Sequence, residues 1–133
     1  MESIQSPGIL LEPLNRCETD LVNIATQAAD IISSFGTSKL RILLDTFHMN
    51  LEEDDVDHAF WSIDCLLGHI HIADSDRMPP GLGSIDLDCY INLLRHIKYR
   101  GFVSAEILPF PSIVESFQLA ANFLSRSSIS TLD

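Results

Sequence analysis

Four apolar runs punctuate the chain, Gly8–Leu11, Arg41–Leu44, His69–Ala73 and Phe102–Ile107, about thirty residues apart, the spacing of consecutive βα units. The first ends at Glu12 before Pro13, and the second runs into Asp45. In the third, strict alternation puts His69 and His71 on one face and Ile70 and Ile72 on the other. The intervening stretches read as helices. Thr19 or Asp20 suits the cap of a helix reaching about Phe35, with Leu21, Ile24, Ala25, Ala28, Ile31 and Ile32 as its apolar stripe and Gly36 as its stop. The acidic run Glu52–Asp55 leads into a helix from about Val56 to Leu67, and carboxylates there are explained by the helix dipole alone. Asp74–Ser84 is a loop whose Pro79, Pro80, Gly81 and Gly83 favour one fixed path. Two more helices follow, about Asp86–Tyr99 and Ser112–Ser125, with Gly101 between them. Four βα units in succession predict a parallel α/β sheet. Residues 8–125 read as one domain, with tails at 1–7 and 126–133.

A chain of 133 residues accommodates one domain with a substantial core, and 46% hydrophobic residues argue against disorder. Eight Lys and Arg stand against 19 Asp and Glu, a formal net charge of -11. Phosphate backbones are bound by clustered cations, so nucleic acid is a poor partner. A neutral small molecule, or a substrate recruited through a metal, fits better. No apolar run reaches the roughly 20 residues that cross a bilayer, and the N-terminus lacks the segments of a secretory signal. The expectation is a soluble, cytoplasmic protein with no membrane association. Cys17, Cys65 and Cys89 are odd in number and far apart, which points to reduced thiols rather than a disulfide framework or a thiolate zinc site.

Each apolar run delivers one residue able to hold a metal or move a proton: Glu12, Asp45, His71 and Glu106. Parallel strands present their C-terminal ends at one mouth, so these four are expected to converge. Three carboxylates and one imidazole form a hard, oxygen-rich donor set, suited to Mn²⁺, Mg²⁺ or Co²⁺ more than to a structural zinc. Taken singly, each is more often a solvated or capping polar group; it is the shared phase at four strand ends that raises the joint odds. His69, one step deeper on the same face, reads as a hydrogen-bonded core histidine.

The stretches LEPLNRCETDLVN, LLDTFHMNLEE, HIHIADSDRMPPGLGSID and SAEI closely resemble the second half of the D-tagatose and D-allulose (psicose) 3-epimerase group. That group lies within the xylose isomerase-like superfamily of sugar isomerases and epimerases, and the resemblance runs from about Gly8 to Leu124. It implies a parallel (β/α)4 half of a TIM (β/α)8 barrel. It further implies a divalent metal, Mn²⁺ foremost with Co²⁺ or Mg²⁺ as alternatives, on Glu12, Asp45, His71 and Glu106, with Glu12 and Glu106 also the catalytic pair. Glu18, His48 and Arg77 are the implied substrate contacts; read without the family they are a helix N-terminal carboxylate, a loop hydrogen bond and a surface ion pair. The implied activity is C3 epimerisation of a ketose, by deprotonation and reprotonation through a metal-stabilised enediolate. Two positions depart from the family pattern: Cys17, where an aromatic residue is expected, and Asp76, where Asn is usual.

A full barrel of this type needs roughly 250 residues. The expectation is therefore two open sheet edges, with Leu10 and Leu43 exposed on the concave face, and closure by a second copy or a separate N-terminal half. The competing reading is a truncated, catalytically silent metal-binding half-barrel or subunit of a split barrel. A metal nuclease on the same scaffold ranks below both, because the charge balance is wrong.

Overall fold

The computed structural model describes residues 8–127. Four strands, β1 (Ile9–Leu11), β2 (Leu40–Asp45), β3 (Leu67–Ile72) and β4 (Phe102–Ala105), form one parallel sheet in the order β1-β2-β3-β4. Five helices accompany them: α1 (Ala25–Phe35), α2 (Thr46–Glu52), α3 (Val56–Ile63), α4 (Leu87–His96) and α5 (Ile113–Arg126). Sequential order with a helix after each strand is the topology of half a (β/α)8 barrel, and among the described residues it leaves β1 and β4 each with one unpaired edge.

The convex face carries the core. Ile42, Leu44, Ile70 and Ile72 of the central strands are buried against Ile32, Phe60, Ile63, Ile91 and Leu94 of the helices. Each such burial stabilises the fold by about 1.5–3 kcal/mol. The concave face carries the chemistry, and its phase depends on an irregularity. Ile42 pairs with Leu67 but Leu43 pairs with His69, so Gly68 is an extra residue in β3. Without that bulge, strict alternation from the buried Leu67 would turn His69 and His71 toward the helices. With it, Asp45 pairs with His71, and His71 with Ser104, on the inner face. Glycine is needed there because a Cβ would come within 2.7 Å of Leu10 Cδ2 and 2.8 Å of Arg41 Cβ. His69 is half-buried, and its Nε2 lies 2.8 Å from Ser104 Oγ, in keeping with a hydrogen-bonded histidine on that face.

Several boundaries differ from the sequence expectation, each for a local reason. The first helix starts at Ala25, not at Thr19 or Asp20, because Asn23 Nδ2 donates to the carbonyls of Leu14 and Thr19 and holds that segment in turns. Leu21 lies outside that helix and is exposed, Ile31 within it is also exposed, and Ala25, Ala28 and Ile32 of the expected apolar stripe are buried. A short helix, α2, follows directly on β2, with Asp45 Oδ1 accepting from Phe47 N at 2.8 Å as its cap. The acidic run is therefore mostly not a set of helix-dipole charges. Glu52 closes α2 and pairs with Arg16, and Glu53 accepts from Ala25 N at the start of α1 (2.7 Å), whereas Asp55 does cap α3. The third helix ends at Ile63 in a 3₁₀ turn, so Leu67 belongs to β3. The last helix extends to Arg126. Residues 1–7 and 128–133, within the expected tails, lie outside the described residues.

Candidate metal centre

Glu12 follows β1, Asp45 ends β2, His71 lies near the end of β3 and Glu106 follows β4. One ligand atom from each lies within 4.8 Å of all the others. Asp45 is aimed by its own backbone role: Oδ1 is committed to the Phe47 N–H, which leaves the fully buried Oδ2 to the cluster. His71 Nδ1 lies 2.5 Å from Glu106 Oε2, 3.7 Å from Asp45 Oδ2 and 4.0 Å from Glu12 Oε1. It is aligned to donate to none of them. Glu12 Oε1, Asp45 Oδ2 and His71 Nδ1 are buried without a hydrogen-bond partner among the described residues. Three orphaned polar atoms in one place, two of them carboxylate acceptors, normally cost a few kcal/mol, unless a cation supplies what hydrogen bonds do not. The donor set thus fits a hard divalent cation.

The electrostatics agree. Burial, then the charges of Asp45 and Glu106, push Glu12 up to about 7, against the pull of Arg77. Asp45 is also pushed above the ordinary carboxylate range, mainly by burial, with the Phe47 N–H and Arg77 opposing. Carboxylates held this close favour protonation or a cation.

Arg77 is the cluster's counter-charge. Its Nη1 lies 2.9 Å from Glu106 Oε1 and 3.6 Å from Asp45 Oδ2, while its Nη2 lies 2.7 Å from His48 Nε2. The turn that presents it is strained: Asp76 and Arg77 have φ of 57° and 56°, the left-handed region. Asp tolerates that conformation as Asn does, so Asp76 suits the backbone there, and its side chain is exposed. The loop around it keeps one path, as its prolines and glycines predict. Buried Asp74 accepts from the backbone N–H groups of Ser75, Gly81 and Ile85 at 2.8–2.9 Å.

His48 is buried, and that burial lowers its pKa. Its Nδ1 accepts from Asn15 N at 3.1 Å, and Asn15 Nδ2 in turn donates to Glu18 Oε1 at 3.0 Å. The structure therefore brings Glu12, Asp45, His71, Glu106, Arg77 and His48 to one mouth, with exposed Glu18 joined to them through Asn15. Sequence reasoning did not single out Asn15, Asp74 or Thr46, whose Oγ1 bridges the Ala73 carbonyl and N–H. The signal for all three is a polar residue at a buried position, which becomes visible only once burial is known.

Fold and donor set together define a class: a parallel α/β half-barrel with a candidate divalent-metal cluster at the C-terminal ends of its strands. A family model described as xylose isomerase-like TIM barrel matches residues 7–125. The chain belongs to that family. It is 38% identical over 98 residues to 3-dehydro-D-guloside 4-epimerase of Escherichia coli K12, covering 74% of this chain and 37% of that protein. It is also 38% identical over 100 residues to D-psicose 3-epimerase of Enterocloster bolteae, covering 75% and 33%. A crystal structure of a D-psicose 3-epimerase in the presence of D-fructose superposes with a TM-score of 0.81 at 30% identity, covering 90% of this chain and 48% of that one. The chain thus matches about a third of the length of these curated relatives and about half of the solved one. Among the described residues, no helix is long and apolar enough to cross a membrane.

Proposed function

We propose that this chain is the cation-binding half of a sugar isomerase that epimerises a ketose at C3, and that its site is complete only when a second half closes the barrel. The observation that carries the reading is the convergence of Glu12, Asp45, His71 and Glu106, three of them with buried polar atoms that have no hydrogen-bond partner among the described residues. The name of the D-psicose 3-epimerase supports the substrate class and the carbon, and that of the 3-dehydro-D-guloside 4-epimerase supports epimerisation next to a sugar carbonyl. The four residues would hold a divalent cation, Mn²⁺ by our assignment with Co²⁺ or Mg²⁺ as alternatives, and a bound cation supplies Lewis-acid stabilisation of charge developing on neighbouring oxygens.

The remaining chemistry belongs to side chains. C3 lies next to the ketose carbonyl, so removing its proton gives an enediolate. Glu12 and Glu106 are the assigned pair: one takes the C3 proton as a carboxylate, and the other, protonated, returns one to the opposite face. A carboxyl poised near neutrality, as Glu12 is in the cation-free site, exchanges a proton at low cost in either direction. Arg77 and Glu18 hold sugar oxygens. His48 enters through Arg77: with Nδ1 accepting from Asn15, a neutral ring carries its proton on Nε2, which then faces the donor-only guanidinium. Turning Arg77 toward a substrate oxygen relieves that conflict and frees the Nε2–H to donate to substrate. Three exposed free thiols suit a reducing compartment, and we place the protein in the cytoplasm.

One observation favours a second reading. The Glu106 side chain is 47% exposed, and substrate sites normally bury most of their ligand. The chain alone would then bind a cation without turnover. Incubating the protein with Mn²⁺ and a ketohexose in D₂O decides between them. Epimer formation with deuterium at C3 supports the enzyme reading, and cation binding without exchange supports the silent half-barrel.

A further inference from the structure

Asn15, at the turn that follows β1, is buried, and each of its polar atoms has a partner. Its carbonyl accepts from Glu18 N at 2.9 Å and Thr19 N at 3.2 Å, which closes the turn. Its Oδ1 accepts from Cys17 N at 3.0 Å. A backbone N–H can only donate, so that contact fixes which end of the amide is oxygen. The NH2 end then faces two side chains: Nδ2 lies 3.0 Å from Glu18 Oε1 and 2.9 Å from His48 Nδ1. The Asn15 backbone N–H reaches the same Nδ1 at 3.1 Å.

We infer that Asn15 is the positioning residue of this site: its amide aims Glu18 and holds His48 as a neutral ring with Nδ1 bare and the proton on Nε2. The inference rests on the epimerase reading above, in which Glu18 and His48 serve the substrate.

Three features carry it. An asparagine that served the turn alone would spend its amide on backbone groups, yet only Oδ1 meets backbone here, and both NH2 contacts go to side chains at the mouth. The donor direction is the same at every link, from the Cys17 N–H through the amide to a carboxylate that only accepts and a ring nitrogen left to accept. The ring is also enclosed. His48 is buried, so solvent offers Nδ1 no other partner, and a second ring proton would meet donors of Asn15 on one side and the Arg77 guanidinium on the other. His48 is thus a hydrogen-bond donor, and proton transfer stays with Glu12 and Glu106. Glu18 is exposed, and tying its Oε1 to a buried amide leaves Oε2 for a sugar hydroxyl.

The test compares the whole chain with its Asn15→Asp variant, which keeps an oxygen for the Cys17 N–H but replaces the NH2 donor by an anionic acceptor. Nitrogen-15 NMR of the labelled imidazoles, in EDTA near neutral pH, should show His48 of the parent with a bare Nδ1. A through-hydrogen-bond coupling should join that nitrogen to Asn15. In the variant the proton should move to Nδ1, with circular dichroism checking the fold. With Mn²⁺ bound, the calorimetric Kd for D-fructose should rise at least about tenfold in the variant, the worth of one charge-assisted hydrogen bond. Mn²⁺ affinity should not change, because Asn15 touches none of the four ligands. A parent ring protonated on Nδ1, or one without coupling to Asn15, would overturn the inference whether or not the variant folds. So would a folded variant that keeps a bare Nδ1 or binds D-fructose as the parent does. A parent with the expected ring signals that binds neither Mn²⁺ nor D-fructose would instead overturn the epimerase reading, leaving Asn15 in control of the ring.

Discussion

Replacing Glu12 by glutamine should make the cation-free protein more stable while abolishing what the site is for. Glu12 is pushed from 4.5 up to about 7, first by burial and then by the charges of Asp45 and Glu106. At 1.36 kcal/mol per pH unit that is about 3 kcal/mol of destabilisation when the group is ionised, trimmed to roughly 2 kcal/mol by solvent reaching a side chain 27% exposed. The direction follows from proton counts. Between pH 4.5 and about 7 the folded chain keeps a proton that the unfolded chain has released, so stability falls as pH rises through that window. The amide of the Glu12→Gln variant cannot ionise. Urea unfolding followed by circular dichroism in EDTA should therefore find the variant about 2 kcal/mol more stable than the parent near pH 8, and the gap should close below pH 4.5. Adding Mn²⁺ should reverse the order, because the parent gains about 2.7 kcal/mol at a free concentration 100 times its Kd while the variant gains little. A variant no more stable than the parent at pH 8 without cation would refute the reasoning, since the burial and like-charge penalties would then not exist.

Other consequences are as direct. Asp45→Asn keeps an oxygen for the Phe47 N–H but puts an amide where Oδ2 pointed, so Mn²⁺ affinity measured by calorimetry should fall at least about 100-fold with the fold intact. Asp74→Ala leaves three backbone N–H groups without their acceptor; urea unfolding should register a loss of about 2–4 kcal/mol, and Arg77 should lose its fixed position. Gly68→Ala drives a methyl group into Leu10 and Arg41 at the bulge, and should cost about 1–3 kcal/mol and weaken cation binding by displacing His71.

Much of the architecture is legible in the chain because parallel strands buried against helices are written as apolar runs, and the C-terminal ends of those runs are where side chains meet. That is why Glu12, Asp45, His71 and Glu106, far apart in sequence, are identifiable as one group from the chain alone. What is not legible is tertiary in origin. The start of α1 is set by Asn23 reaching carbonyls of an earlier turn, a contact no local propensity reports. The Glu52–Glu53 pair looks like helix-dipole charge by position, yet it ties α2 to Arg16 and to α1. The bulge at Gly68 is the instructive case. Alternation within His69–Ile72 reads correctly, but the extra residue that sets its phase against β2 appears only in the pairing of the two strands. The family resemblance makes His48 a substrate contact; its burial, the hydrogen bond its Nδ1 accepts from Asn15 N and the Arg77 guanidinium beside its Nε2 become visible only in the structure.

The central claim is that four side chains from four strand ends hold one divalent ion. Titrating the metal-stripped protein with Mn²⁺, by calorimetry or by loss of the free-ion electron resonance signal, tests it most directly. The account predicts one ion per chain, and no measurable binding after His71→Ala. An absence of binding in the parent, or binding that survives that substitution unchanged, would contradict it.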